Sequence, residues 1–224
     1  MSKIQTALRA ALTALLFLAF LFVPAGTLNW PEAWIFVLLY FALVTWLMLW
    51  LKKKSPGLLR ERTARRKDCK GWDKTIITVY TLVIVALVVV TGLDAKRFGW
   101  SEVPSYVKVL GFLGYLPAIG FAFWAMLENA YASNVVRIQE DRGHEVCTTG
   151  PYRFIRHPMY VGVIFSLIFI PLSLGSYYAL ILSGLAIVLF ILRTMLEDKT
   201  LQNELPGYKE YAEKVRYRLF PGIW

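Results

Sequence analysis

The sequence predicts an all-α fold, a polytopic integral membrane bundle of about six apolar helices, and three features of its 224 residues point there. Hydrophobic residues make up 57% of the chain and charged residues only 18%, against roughly 45–50% and about 25% in an ordinary soluble domain. The apolar residues fall in long runs free of Asp, Glu, Lys, Arg and His, and the 25 Lys and Arg residues crowd into the segments on one side of those runs. A mean hydropathy of +0.51 agrees. Nucleic-acid binding, which the net charge of +10 would otherwise suggest, needs a basic face on a folded soluble module, and the apolar runs leave no room for one.

A spanning helix takes about 20 mostly apolar residues. Five charge-free runs qualify, at 10–31, 33–51, 75–93, 109–127 and 158–192. The last would stretch about 52 Å as one helix at 1.5 Å per residue, too far for a single pass. Pro171, Gly175 and Ser176 predict a turn near 171–176 that folds it into a helical hairpin. The first run admits a second reading as a signal peptide, because Lys3 and Arg9 precede it and Val23-Pro24-Ala25 resembles a small-residue cleavage site. Five further apolar helices favour an uncleaved span.

Lys and Arg are retained on the cytoplasmic side of a membrane. With the N-terminus inside, the inner segments hold 22 of them and the outer segments only Lys96, Arg97 and Lys108. Both termini are therefore expected in the cytoplasm, and chemistry that uses charged groups is expected at that face. The chain divides into residues 1–128, helices with a basic loop at 52–74, and residues 129–224, which hold most of the remaining polar sequence. For the basic loop, contact with anionic headgroups accounts for the charge, with Leu58, Leu59 and Trp72 as interfacial anchors. Attraction of an acidic or amphiphilic substrate is the alternative.

Residues 129–160 contain both histidines of the chain, several turn formers and dense aromatics just before the hairpin. A bland account makes this a capped helix entry with Arg153 and Arg156 among headgroups. His144, Cys147 and His157 invite a zinc reading, but their spacing matches no familiar ligand set, so no metal is expected. Cys69 and Cys147 form no C-x-x-C pair. Arg193 and Glu197 stand four apart on one face of the last apolar helix. Ionisable groups at membrane depth usually turn towards a cavity.

Gly150-Pro151-Tyr152, Arg156-His157-Pro158-x-Tyr160-x-Gly162, Arg193-x-x-x-Glu197-Asp198-x-x-Leu201 and Gly207-Tyr208-x-x-Tyr211 together resemble the isoprenylcysteine carboxyl methyltransferase family. The wider group includes phospholipid N-methyltransferases, and membrane sterol reductases share the pattern at a low level. The resemblance implies a methyltransferase that holds S-adenosylmethionine at the cytoplasmic membrane face. It also implies a lipophilic small-molecule or lipidated substrate arriving from among the membrane lipids, and no nucleic acid. Carried over by motif, the cofactor contacts are Gln139, His144, Glu145, Val146, Cys147, Tyr152, His157, Pro158, Met159, Tyr160 and Glu197. Arg193 is the substrate contact and acts with Glu197 in catalysis. Asp198 stands where family members often carry a second glutamate. N-methylation of a lipid amine, a nicotinamide-dependent reductase and a packing scaffold remain the competing readings.

Overall fold

The computed structural model describes residues 3–64 and 68–224. Arg65, Arg66 and Lys67 of the basic loop lie outside the described residues, as do the side chains of Lys3 and Arg9, on which the orientation and signal-peptide readings partly rest. Among the described residues there are eight α-helices and no strand: α1 (Lys3–Ala25), α2 (Pro31–Lys54), α3 (Pro56–Thr63), α4 (Gly71–Gly92), α5 (Ser105–Glu128), α6 (Pro158–Leu174), α7 (Ala179–Glu204) and α8 (Tyr208–Lys214). Four are long and apolar enough to cross a membrane: α2, α4 with the π-helical turn Leu93–Phe98 that continues it, α5 and α7. α1 and α6 supply two shorter apolar segments.

Each of the first four charge-free runs has become one helix and the fifth has become two, with α7 continuing beyond its run through Arg193 to Glu204. α2 begins with Pro31 at its first position and ends on Lys52, Lys53 and Lys54, a proline where no N–H is missed and cations where the helix dipole is negative. Leu38, Leu82 and Ile181 are 69%, 66% and 72% exposed. Outward apolar side chains on this scale suit a bilayer and would be an aggregation liability in water.

The hairpin forms, and its turn begins at Gly175, within the expected 171–176. α6 runs through Pro171 to Leu174, and Gly175 ends it with φ of +88°, a conformation open mainly to glycine. The N–H groups of Gly175 and Ser176 both return to the Pro171 carbonyl, at 3.0 and 2.9 Å. Proline near the end of a helix thus costs one bond there, and the glycine makes the turn.

Two devices then fix α6 and α7. At Gly162 an added Cβ would sit 2.6 Å from the Ala118 carbonyl and from the Ala122 nitrogen, so α5 and α6 touch backbone to backbone. At the far end of the hairpin, buried Asp94 accepts hydrogen bonds from the hydroxyls of Ser176 (2.6 Å) and Ser101 (2.7 Å) and from the Tyr178 N–H (3.3 Å). A carboxylate from a neighbouring helix thereby caps the start of α7, where N–H groups lack intrahelical partners.

At the opposite end of the bundle the basic loop folds back over residues 130–137. Arg62 Nη1 donates to the Ala132 carbonyl and Asn134 Nδ2 to the Arg62 carbonyl, both at 2.7 Å. Leu58 is 1% exposed and packs with Leu47, Leu51, Phe123 and Met126. It is therefore a core residue and not the interfacial anchor expected from the sequence, because α3 is short and its one apolar face turns inward.

Candidate active site

The entry to α6 is built on a C-terminal tail clasped to it. The N–H groups of Arg156 and His157 donate to the carbonyls of Tyr217 and Arg218, each at 2.9 Å. Beneath them Asp198, fully buried, accepts Arg156 Nε at 2.7 Å and Nη2 at 3.0 Å, Arg218 Nε at 2.9 Å and Gln202 Nε2 at 2.7 Å. Its Oδ1 also meets His157 Nε2 at 3.3 Å. Arg156 is 6% exposed, so it does not sit among headgroups as the bland reading had it. A buried guanidinium needs this pairing to be tolerated.

Above the clasp a pocket opens between residues 131–147 and the helices α6, α7 and α8. Gln139, His144, Glu145, Val146, Cys147, Tyr152, His157, Met159, Tyr160 and Glu197 all line it. Pro158 does not: it is buried in the first turn of α6. The space between the walls, counting what is open to solvent, is about 730 Å³. Tyr131, Arg137, Tyr208 and Tyr211 complete the wall.

The charges of the pocket are unequally committed. Arg156 is held by Asp198, and Arg137 is held by Glu61 at 3.0 Å, by Asp68 at 3.0 Å and by Asp141 at 2.9 Å. Hydrogen bonding to Glu61, ahead of that to Asp141, raises the Arg137 pKa further. His144 is driven the other way: burial, then the nearby Arg142 and Arg137, push its pKa down to about 4. Its Nδ1 faces the Gln139 N–H at 3.3 Å, which requires an unprotonated acceptor there, and its ring lies 4.6 Å from that of Tyr131. Burial likewise raises the Tyr152 pKa, so that phenol stays neutral. Among the described lining residues, Glu145 and Glu197 are left as anionic groups without an ion pair.

Glu197 takes a short hydrogen bond from the Tyr160 hydroxyl. It does not pair with Arg193, as their i, i+4 spacing suggested. Arg193 instead donates through Nε to Asp73 Oδ1 at 2.8 Å and through Nη2 to the Asn134 carbonyl at 3.0 Å, and its guanidinium lies 5.4 Å from the centre of the Tyr160 ring. It lines a second cavity, about 510 Å³ counted in the same way, between α4 and α7, with Ile76, Ile77, Tyr80, Thr81, Asn134, Leu189 and Phe190. Tyr160 thus touches Glu197 on the pocket side and Arg193 on the cleft side.

Sequence reasoning missed Asp73, Glu61 and Arg137. Asp73 carried a usable signal, since it lies in the first turn of α4, two residues before the charge-free run, and an ionisable group at that depth invites the question asked of Arg193. The Glu61–Arg137 pair joins residues 76 apart in the chain, which no local pattern reveals.

The fold and the site define an integral membrane helical bundle with a polar pocket at one end, walled by its last two apolar helices. Residues 109–203 match the model of the isoprenylcysteine carboxyl methyltransferase (ICMT) family. The match spans 95 of the 224 residues and agrees, over that segment, with the resemblance read from the motifs. No curated protein matches the chain at a significant level.

Proposed function

We propose that this protein is an S-adenosylmethionine-dependent methyltransferase that O-methylates the carboxylate of a lipophilic, isoprenylcysteine-like substrate at the cytoplasmic face of its membrane. The observation that carries the reading is the charge inventory of the pocket: its arginines Arg137 and Arg156 are tied to carboxylates, while the half-buried Glu197 lines it with no salt-bridge partner among the described residues and Glu145 adds a second carboxylate at the exposed rim. Such a lining suits a ligand bearing a sulfonium and an ammonium. It opposes a nicotinamide dinucleotide, whose phosphates would meet unneutralised carboxylates.

Glu197 and the faces of Tyr152 and Tyr160 would attract the cationic centres. Tyr131 and His144 offer ring surface to the remainder, whereas Gln139 has both ends of its side chain engaged, Nε2 on the Tyr131 carbonyl and Oε1 on Arg142, and acts by holding that wall in place. When bound, S-adenosylmethionine supplies a methyl group on a positively charged sulfur. An acceptor carboxylate is already ionised at neutral pH, with a reference pKa of roughly 3.3–3.7, and no residue need act as a base. The protein's task is then to orient the acid and to keep water away from it. Arg193 holds the acid in the cleft between α4 and α7, where Ile76, Ile77 and Leu189 suit an apolar tail.

Incubation with methyl-labelled S-adenosylmethionine, using N-acetyl-S-farnesylcysteine as acid and a long-chain alkylamine as competitor acceptor, tests this. Label in the acid ester is the expected outcome. Label in the amine alone moves the protein to N-methylation, and label in neither removes the acid reading for this tail class.

A further inference from the structure

Asp73 lies outside the matched family segment and outside every motif, yet it is fully buried beside Arg193. A guanidinium can present a carboxylate with either of two forks, Nε with Nη2 or Nη1 with Nη2. In this protein Asp73 occupies the first, receiving Nε at 2.8 Å on Oδ1 and Nη2 at 3.5 Å on Oδ2. The Asn134 carbonyl, 3.0 Å from Nη2, spoils the second. Among the described residues Nη1 alone has no hydrogen-bond partner.

Resting on the acid-acceptor reading above, we propose that Asp73 is a positioning residue that limits Arg193 to a one-point grip on the acceptor, leaving one carboxylate oxygen free to receive the methyl group. A fork grip would engage both oxygens and lower the nucleophilicity of each. With Nη1 alone, one oxygen is held and the other keeps its lone pairs exposed. That oxygen forms the new C–O bond as the C–S bond breaks, the electron pair of the broken bond stays on sulfur, and the products are a neutral ester and a neutral thioether. No proton moves.

Asp73 has a second task that the same carboxylate performs. Its Oδ2 accepts the Val136 N–H at 2.7 Å, and Val136 lines the cofactor pocket. The acceptor arginine and the cofactor loop are therefore set by one side chain on α4.

The test uses the full-length protein in lipid nanodiscs with S-adenosylhomocysteine present and N-acetyl-S-farnesylcysteine as probe. Asp73→Asn keeps the volume and a carbonyl oxygen for the Val136 N–H while releasing the guanidinium to turn its fork to the acid. The expected result is a split: the acid binds about tenfold tighter, one added charge-assisted hydrogen bond, and its KM falls while kcat drops by a similar factor. A rise in KM with kcat unchanged, or no change in either, overturns the proposal. A second measurement needs no variant. Infrared difference spectra of the ¹³C-carboxylate probe bound to the parent protein should show an unsymmetrical carboxylate with widely split stretches; a symmetrical, fork-bound signature overturns the proposal even if Asp73→Asn fails to fold. If the parent neither binds nor methylates the acid, the acid-acceptor reading itself has failed and this inference goes with it.

Discussion

Asp198 holds Arg156 in a two-pronged pair, Nε at 2.7 Å and Nη2 at 3.0 Å, and through that guanidinium it holds the end of the chain. Arg156 Nη1 reaches on to the carbonyls of Val215 at 2.7 Å and Arg216 at 2.9 Å. The carboxylate next to Glu197 in sequence is thus structural, while Glu197 faces the pocket. The i, i+1 spacing explains the division of labour, since adjacent helical residues point about 100° apart.

Removing that carboxylate should unfold this end of the molecule. Asp198→Ala leaves Arg156 and Arg218 without their buried partner, and breaking a buried pair on one side costs about 3–5 kcal/mol. Thermal unfolding in detergent should show a drop in Tm much larger than that of Glu197→Ala. Equal, small shifts would contradict the assignment.

Gly162→Ala places a Cβ against backbone atoms of α5 at 2.6 Å, which cannot move aside as a flexible side chain does. Its cost should exceed the ~1–3 kcal/mol of ordinary overpacking. Gly184→Ala is the matched control: an added Cβ there meets nothing within 4 Å, and the substitution should be neutral or stabilising by up to about 1 kcal/mol. Paired melting curves check both.

His144 makes stability depend on pH. Burial and the neighbouring arginines hold its pKa down at about 4 in the folded protein, against an ordinary value of 6.5, so the unfolded chain binds the proton more readily. Stability attributable to this group is full above pH 6.5, declines as pH falls towards 4 and is level below that, by at most about 3 kcal/mol. Replacing it with glutamine should flatten the fall in Tm between pH 7 and pH 4.5. A slope equal to that of the parent protein would show that other groups govern acid stability.

Glu61→Ala should weaken cofactor binding without touching the pocket. Glu61 is 2% exposed and holds Arg137 Nε, and Arg137 is part of the pocket wall. Without Glu61, Arg137 keeps only the exposed carboxylates of Asp68 and Asp141 as partners, and more of its charge is felt by a cationic ligand. A several-fold loss of affinity for S-adenosylhomocysteine is expected, smaller at high salt where the freed charge is screened. Unchanged affinity at both salt concentrations would place Arg137 outside the electrostatics of the pocket.

Much of this architecture was legible because it is written in uninterrupted hydrophobic runs. All six apolar helices follow from the charge-free stretches, and Gly175 marked the hairpin turn more accurately than Pro171 did. The pocket-lining residues were legible only as motif positions: nothing in spacing alone brings Gln139 beside His144, or Tyr160 beside Glu197. What stayed hidden were pairings across long sequence separations. The partner of Arg193 is 120 residues away at Asp73, and local spacing, which offers only the i, i+4 neighbour Glu197, cannot weigh a competing carboxylate from another helix. Leu58 was misread for the same reason, since its burial depends on α2 and α5 and not on its own flanking lysines.

The most direct measurement is calorimetric titration of the purified protein in detergent with S-adenosylhomocysteine, in parallel with NADPH, for the parent and for Glu197→Ala. The account predicts saturable binding of S-adenosylhomocysteine by the parent, none of NADPH, and loss of at least tenfold in affinity on removing the Glu197 carboxylate, equivalent to about 1.4 kcal/mol, with the fold intact. Binding of NADPH alone, or equal S-adenosylhomocysteine affinity in the two proteins, would contradict it.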